Sequence, residues 1–84
     1  MTLIETFGIR LKQERELRGY TANQMAFFLN VSTTHLLNVE KGTINPKLEL
    51  IEGLVKQGVD IKSMFKEIDD EVVTGMIFRK GEDT

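Results

Sequence analysis

Two short helical patterns follow one another so closely in the middle of the chain that few arrangements accommodate both. The patterns cover residues 22–29 and 33–40, with only three residues between them. Helices this short are not stable alone, so the pair must cross steeply and pack against further helices. Ala26 is small where the second helix approaches, and a larger side chain there would push the two apart. The spacing therefore predicts two helices joined by a tight turn inside a larger helical domain.

Polar residues at the ends of both patterns supply the signals that start and stop helices. Thr21, with Gln24 three residues later, has the spacing of a capping box, and Ser32 is a good cap for the second helix. Asn30 ends the first helix because asparagine tolerates the left-handed conformation. The residues expected to face inward are Met25, Ala26 and Leu29 in the first helix of the pair and Leu36 and Val39 in the second.

A longer helix is predicted ahead of this pair. Thr2 or Thr6 can cap it, and it continues to about Arg18, after which Gly19 suits a left-handed stop. Its apolar side is supplied by Phe7, Leu11 and Leu17.

Two more helices are predicted after the pair. Asn45 is expected to cap the fourth helix, with Pro46 in its first turn and Gly58 at its end. Asp60 is expected to cap a fifth helix over residues 61–68. The expected inner residues are Leu48, Ile51, Leu54 and Val55 in the fourth helix and Ile61, Met64, Phe65 and Ile68 in the fifth.

The last part of the chain has a different character. Residues 69–84 form an acidic linker followed by β-forming residues around Gly75, which predicts a short strand or a hairpin. Because an isolated strand is not stable in water, we expect a second copy of the chain to pair with it. The residues predicted to form this dimer contact are Val72, Val73, Met76, Ile77 and Phe78. The chain thus divides into a helical domain, residues 1–68, and a dimerisation tail.

Composition excludes several classes of protein. The 84 residues contain no cysteine, which removes cysteine-based zinc sites and cysteine nucleophiles and fits a reducing cytoplasm. No apolar run approaches the length of a membrane span, and the N-terminus lacks the pattern of a signal peptide. No nucleophile–base pair is visible, so we expect no enzyme activity, no cofactor and no metal. The net charge of −2 sits mainly in the tail: residues 1–65 carry 8 basic and 7 acidic residues.

The segment RGYTANQMAFFLNVSTTHLLNVEKGTINPKLELIEGLVKQGVDIKSMF resembles the lambda-repressor-like family, the Cro and CI helix-turn-helix regulators of the XRE type. The resemblance covers roughly residues 6 to 65. Its most specific marks are Ala26, the Val-Ser pair at 31 and 32, the E-x-G at 40 to 42 and the Asn-Pro at 45 and 46. It implies an all-α, five-helix domain, to which the β tail is added, that binds double-stranded DNA sequence-specifically as a homodimer on a near-palindromic operator. A repressor is the expected role.

The same resemblance implies which residues meet the DNA. Base readers would be Thr33, Thr34, Leu37 and Asn38. Asparagine can pair bidentately with adenine, and threonine can hydrogen-bond a base or place its methyl on a thymine methyl. Phosphate contacts would be Arg10, Asn23, Gln24, Ser32, His35, Lys41 and Asn45. An ion pair between Arg15 and Glu40 would fix the first helix against the reading helix. His35 is expected to be a polar surface residue.

Several residues depart from the family pattern and keep other interpretations open. Ala22 replaces a glutamine that braces a phosphate, so that contact would pass to Asn23 or Gln24. Phe27 and Phe28 are interpreted as a core residue and a partly covered neighbour, or as a patch for a protein partner. Leu37 stands at a usually polar position and would either contact a thymine methyl or fold under its helix.

Two other roles are compatible with these departures. The protein would be an antitoxin that represses its own gene and binds a toxin, or a helix-turn-helix retained only for protein interaction. A restriction–modification controller would be a variant of the main, DNA-binding interpretation. RNA polymerase is a further protein partner to consider.

Overall fold

The computed structural model describes residues 1–66, and all regular secondary structure in this part of the chain is helical. The elements are α1, Leu3–Leu17; α2, Ala22–Phe28; α3, Thr33–Glu40; α4, Leu48–Lys56; and a 3-10 helix, Ile61–Phe65. Within residues 1–66 there is no β-strand, and none of the helices there has the length and apolar character needed to cross a bilayer. The predicted strand and its dimerisation residues 72–78 lie outside the described residues.

The first three helices begin at the residues that the sequence indicated. Thr2 caps α1 in a full capping box with Glu5, whereas Thr6, the other candidate, is buried inside the helix. Thr21 and Gln24 form the second capping box, and the Ser32 hydroxyl accepts the N–H of the third residue of α3. The side chain at the cap of α1, α2 and α3 therefore satisfies one of the N–H groups that each helix leaves unpaired at its start.

The loops between helices turn through left-handed residues. Asn30 has a φ of 59°, and Gly19, Gly42 and Gly58 have φ values of 74°, 78° and 84°. Asparagine and glycine are the residues that accept this conformation at little cost. The predicted stops at Gly19, Asn30 and Gly58 are thus present.

One core joins the four α-helices to the 3-10 helix. It contains Phe7 and Leu11 from α1, Met25, Ala26 and Leu29 from α2 and its end, Leu36 and Val39 from α3, Leu50 and Leu54 from α4, and Met64. The inner faces predicted for α2 and α3 are confirmed. At Gly8, α1 lies so close to the C-terminal end of α3 that an added Cβ would meet the Val39 carbonyl oxygen and lie 2.7 Å from that of Glu40.

Five residues that the sequence placed inside are exposed. Leu17 is 84% exposed because it is the last residue of α1, beyond the packed part of that helix. In α4 the inner stripe is Leu50, Ile51 and Leu54, so Leu48 and Val55 face solvent. The core interpretation of Phe27 is also wrong, since that side chain is 79% exposed. The remaining one, Phe65, is 38% exposed but stacks on the buried ring of Phe7 at 5.2 Å between ring centroids.

The start of α4 and the nature of the last helix also differ from prediction. Asn45 does not cap α4: the cap position is Lys47, which is extended and has no side-chain capping hydrogen bond. Pro46 therefore precedes the helix instead of lying in its first turn. The fifth element is a five-residue 3-10 helix, capped by Asp60 as predicted, and the chain is extended at Lys66. Over residues 61–65 a 3-10 helix therefore replaces the predicted α-helix, and residues 67 and 68 lie outside the described part of the chain.

Candidate nucleic-acid interface

The eight residues of α3 divide into an inner face and an outer face. His35, Leu36 and Val39 are buried. The remaining residues of the first two turns, which are exposed or half-buried, are Thr33, Thr34, Leu37 and Asn38. They follow an i, i+1, i+4, i+5 pattern, which in an α-helix is one continuous side. The four residues predicted to read bases therefore share the solvent-facing side of one short helix.

An ion pair fixes α3 to α1, as the sequence predicted. Arg15 Nε lies 2.7 Å from Glu40 Oε2, and Arg15 Nη2 lies 3.0 Å from Glu40 Oε1, a bidentate arrangement. The third guanidinium nitrogen donates to the Tyr20 carbonyl oxygen at 3.3 Å. Only 14% of the arginine side chain and 5% of the glutamate side chain are exposed. The hydrogen bond to Glu40 raises the pKa of Arg15, so the guanidinium stays charged.

His35 connects the N-terminal half of α3 to the segment that precedes α4. Its Nε2 accepts the backbone N–H of Lys47 at 3.1 Å, joining α3 to the residue that precedes α4. The ring is buried, so the prediction of a surface histidine is wrong. Burial, aided by the positive charge of Lys47 and opposed by Glu49, lowers the pKa of His35. Because Nε2 is occupied by a protein donor, we do not retain His35 as a phosphate contact.

A side-chain hydrogen bond connects α2 to the first residue of α3. The Thr33 hydroxyl donates to Asn23 Oδ1 at 2.7 Å. Gln24, the neighbouring candidate, uses its Oε1 to accept the Thr21 N–H in the capping box. The sequence proposed both amides as phosphate contacts, and the structure gives each a local partner. The side-chain NH₂ groups of Asn23 and Gln24 take no part in these two hydrogen bonds.

The loop after α3 is folded back on the helix. The N–H and the hydroxyl of Thr43 both donate to the Asn38 carbonyl oxygen, at 3.1 and 3.0 Å. Lys41, the predicted phosphate contact, and Asn45 are exposed on this loop. The loop is thus held at Thr43 next to Asn38 on the outer face of α3.

A groove between α1 and α3 borders the outer face of α3. One of its lining residues is Lys12, a basic residue that was not predicted from the sequence to contact DNA. The groove, of about 580 Å³, is lined among others by Ile9 and Lys12 from α1 and by Leu37 and Lys41 from the α3 side. Leu37 is 38% exposed there, so it does not fold under its helix. Lys12 lies three residues before Arg15, and that helical spacing was the signal that would have placed it on the same side.

Arg10, the remaining predicted phosphate contact, lies at a different part of α1. Its guanidinium donates to the Lys66 carbonyl oxygen at 3.4 Å and to Gln13 Oε1 at 3.5 Å. It therefore faces the 3-10 helix and is not among the residues that line the groove beside Leu37. Among residues 1–66 no group of three or more histidine, aspartate or glutamate side chains is arranged to hold a metal ion.

A short capped helix whose polar side faces solvent, held by a preceding helix across a tight turn, defines the class of helix-turn-helix DNA-binding domains. A model of the helix-turn-helix family matches residues 11–57, more than half of the chain. The chain therefore belongs to the helix-turn-helix family of the XRE, lambda-repressor-like type, a family of DNA-binding regulators. No curated protein and no solved structure matched the chain.

Proposed function

We propose that the protein is a homodimeric transcriptional repressor that binds a near-palindromic operator and acts by occupying the DNA. Each copy would place α3 in the major groove, and the two half-sites would lie about one helical turn apart. Bases would be read by Thr33, Thr34, Leu37 and Asn38, and phosphates would be met by Lys41, Asn45, Ser32 and Lys12.

The observation that carries this proposal is the separation of α3 into two faces with different tasks. The inner face is committed to the core and to the His35–Lys47 hydrogen bond, and Glu40 is committed to Arg15. The outer face holds three neutral polar side chains and the apolar Leu37, which suit hydrogen bonds and methyl contacts with base edges. A rigidly held helix with such an outer face can keep these side chains in register with a base sequence.

The charges near this face predict an unusual dependence on salt. Two lysines, Lys12 and Lys41, border α3, and the outer face itself carries no charge. Since each neutralised phosphate contributes about 0.9 to the slope of log affinity against log salt, we expect a shallow slope for a DNA-binding protein.

The decisive experiment is selection of bound duplexes from a random library, followed by gel shifts on the enriched sequence. We expect one enriched, near two-fold symmetric motif. Asn38→Ala should lose about 1–3 kcal/mol of discrimination at one or two base pairs, whereas Lys41→Ala should weaken binding to all sequences alike and reduce the salt slope by about 1. Failure to enrich any motif would refute the proposal, and equal loss on every sequence for Asn38→Ala would show that this residue meets only the backbone.

Dimerisation has a separate test. We assign it to residues 72–78 and treat residues 1–68 as the DNA-binding domain. Ending the chain after Asp69 should convert a dimer into a monomer in sedimentation equilibrium and weaken binding to the full operator more than to a half-site. An unchanged dimer would refute the role of residues 72–78.

A second candidate function, binding of a protein partner such as a toxin, is favoured by one observation. Phe27 and Phe28 are 79% and 45% exposed, and with Tyr20 they form an aromatic patch in which neighbouring ring centroids lie 6.0 and 4.8 Å apart. Exposed clusters of large apolar side chains are typical of interaction surfaces. A Phe27→Ser, Phe28→Ser variant that selects the same DNA motif but no longer binds the product of an adjacent toxin gene would support this role.

A further inference from the structure

The hydrogen bond between Thr33 and Asn23 determines what the first residue of α3 can offer to a base. In the structure the threonine hydroxyl is the donor and Asn23 Oδ1 the acceptor, at 2.7 Å. That length is typical of an O–H···O bond and shorter than the usual N–H···O distance, which supports this direction of donation. The hydroxyl proton of Thr33 is therefore already in use before DNA arrives.

A threonine without an available proton is restricted in the bases that it can recognise. In the major groove guanine presents only acceptors, N7 and O6, and the thymine carbonyl and adenine N7 are acceptors too. None of these can pair with a hydroxyl whose proton is committed elsewhere. The hydroxyl oxygen can still accept from adenine N6–H₂ or cytosine N4–H₂, but its bond to Asn23 holds it toward α2. The γ-methyl group is complementary to the C5-methyl of thymine, the one apolar group on a base edge.

We propose that Thr33 is a thymine-methyl reader and that Asn23 is its positioning residue, which holds the hydroxyl toward α2 and leaves the methyl for the DNA. This assignment rests on the proposed DNA-binding function and specifies the kind of base recognised at one position of each half-site. Asn23, which the sequence assigned to a phosphate, acts through Thr33. Asn23 is the second residue of α2 and is exposed, so its substitution removes the hydrogen bond to Thr33 without opening the core.

The test replaces each thymine of the selected operator, one at a time, with deoxyuridine, which removes only the methyl group. At one position per half-site, binding of the unmodified protein should weaken about fourfold, the contribution of one buried methyl. Thr33→Val keeps the methyl and should keep this penalty, whereas Thr33→Ser keeps the hydroxyl and should lose it. Valine matches threonine in size and serine lacks only the methyl group, so the two variants separate the two chemistries.

The role of Asn23 is tested by the ratio of the affinity for the operator with thymine to the affinity for the operator with deoxyuridine at that position. Asn23→Ala should shrink the ratio toward one, because the freed hydroxyl can rotate and donate to other bases. Asn23→Asp keeps the acceptor oxygen and should retain the ratio even if its charge weakens all binding. In the Thr33→Val background, Asn23→Ala should have no effect on the ratio, since no hydroxyl remains to be positioned.

The outcomes separate this inference from the proposed function. If no operator is enriched, both are refuted. If an operator is enriched but the uracil scan is flat, or Thr33→Ser keeps the penalty and Thr33→Val loses it, the methyl-reading role is refuted while the DNA-binding function stands. If Asn23→Ala leaves the ratio unchanged, Asn23 does not position Thr33.

Discussion

Removal of the Glu40 carboxylate is expected to be among the most damaging single changes outside the apolar core. Glu40→Ala would leave the Arg15 guanidinium, 14% exposed, without the two short hydrogen bonds at 2.7 and 3.0 Å that now neutralise it. Breaking a buried pair by deleting one partner costs about 3–5 kcal/mol. Because Arg15 keeps some contact with water and its bond to the Tyr20 carbonyl, we expect the lower end, about 3 kcal/mol.

That loss is large for a chain of this size. A folded chain of 84 residues is stabilised by roughly 4–13 kcal/mol in total. A loss of about 3 kcal/mol should lower the midpoint of thermal unfolding by about 12 °C or more. The measurement is urea unfolding followed by far-UV circular dichroism, with the thermal midpoint as a second readout.

A matched control lies on α4. The Glu52–Lys56 pair has its nearest charged atoms 3.9 Å apart, with side chains 66% and 74% exposed, so Glu52→Ala should change stability by no more than about 0.5 kcal/mol. The double variant Arg15→Met, Glu40→Leu should recover most of the loss, because no unpaired charge remains. If Glu40→Ala and Glu52→Ala cost the same, the Arg15–Glu40 pair does not hold α1 to α3 as described.

Three further outcomes follow from the packing around α3. Because burial lowers the pKa of His35, the unfolded chain takes up a proton more readily than the folded one, so stability should rise with pH and be lost as pH falls below about 6.5. The urea midpoint of His35→Gln should lack this dependence on pH, and a pH profile identical to that of the unmodified protein would contradict the role of His35 as a buried acceptor. Gly8→Ala should destabilise the folded protein by about 1–3 kcal/mol despite the better helix propensity of alanine, since the added Cβ would press on the carbonyl oxygens of α3. A variant more stable than the unmodified protein would show that α1 can move away from α3 freely. Leu17→Gln should leave the urea midpoint nearly unchanged, because that side chain is 84% exposed; a loss above about 1 kcal/mol would mean that Leu17 is covered in solution.

The local parts of the fold were predictable because they depend on residues close in sequence. The capping boxes at Thr2 and Thr21, the cap at Ser32 and the left-handed turn at Asn30 each involve residues a few positions apart. The Arg15–Glu40 pair joins distant residues, and it was predicted from the family resemblance and not from any local pattern.

The errors fall where long-range contacts override local signals. Asn45 and Pro46 look like a helix start, but the Lys47 N–H is taken by His35, twelve residues earlier, and α4 begins at residue 48. A histidine at a position that looks exposed gave no sign that a backbone amide would reach it. In α4, Leu48 and Leu50 are equally apolar in sequence, and only the packing of the helix against the core shows that Leu50 is the buried one.

The predicted base readers could be assigned to the outer face from sequence, but their partners could not. The spacing of Thr33, Leu37 and Asn38 indicates a common side of α3. That the hydroxyl of Thr33 is engaged by Asn23 depends on how α2 crosses α3, which no spacing rule specifies. Chemical detail at the interface therefore required the structure.

The division of α3 into two faces has a consequence for how such a protein can diversify. Substitution of Thr34 or Asn38, on the outer face, leaves the core and the Arg15–Glu40 pair untouched, so it should alter stability by only about 0.5 kcal/mol in either direction. With α3 as the proposed reading helix, new target sequences can then be acquired by point mutation without a stability barrier between them. Thr33 is the exception, because its neighbour on α2 must change with it; new specificities at that base pair should arise as paired substitutions with Asn23.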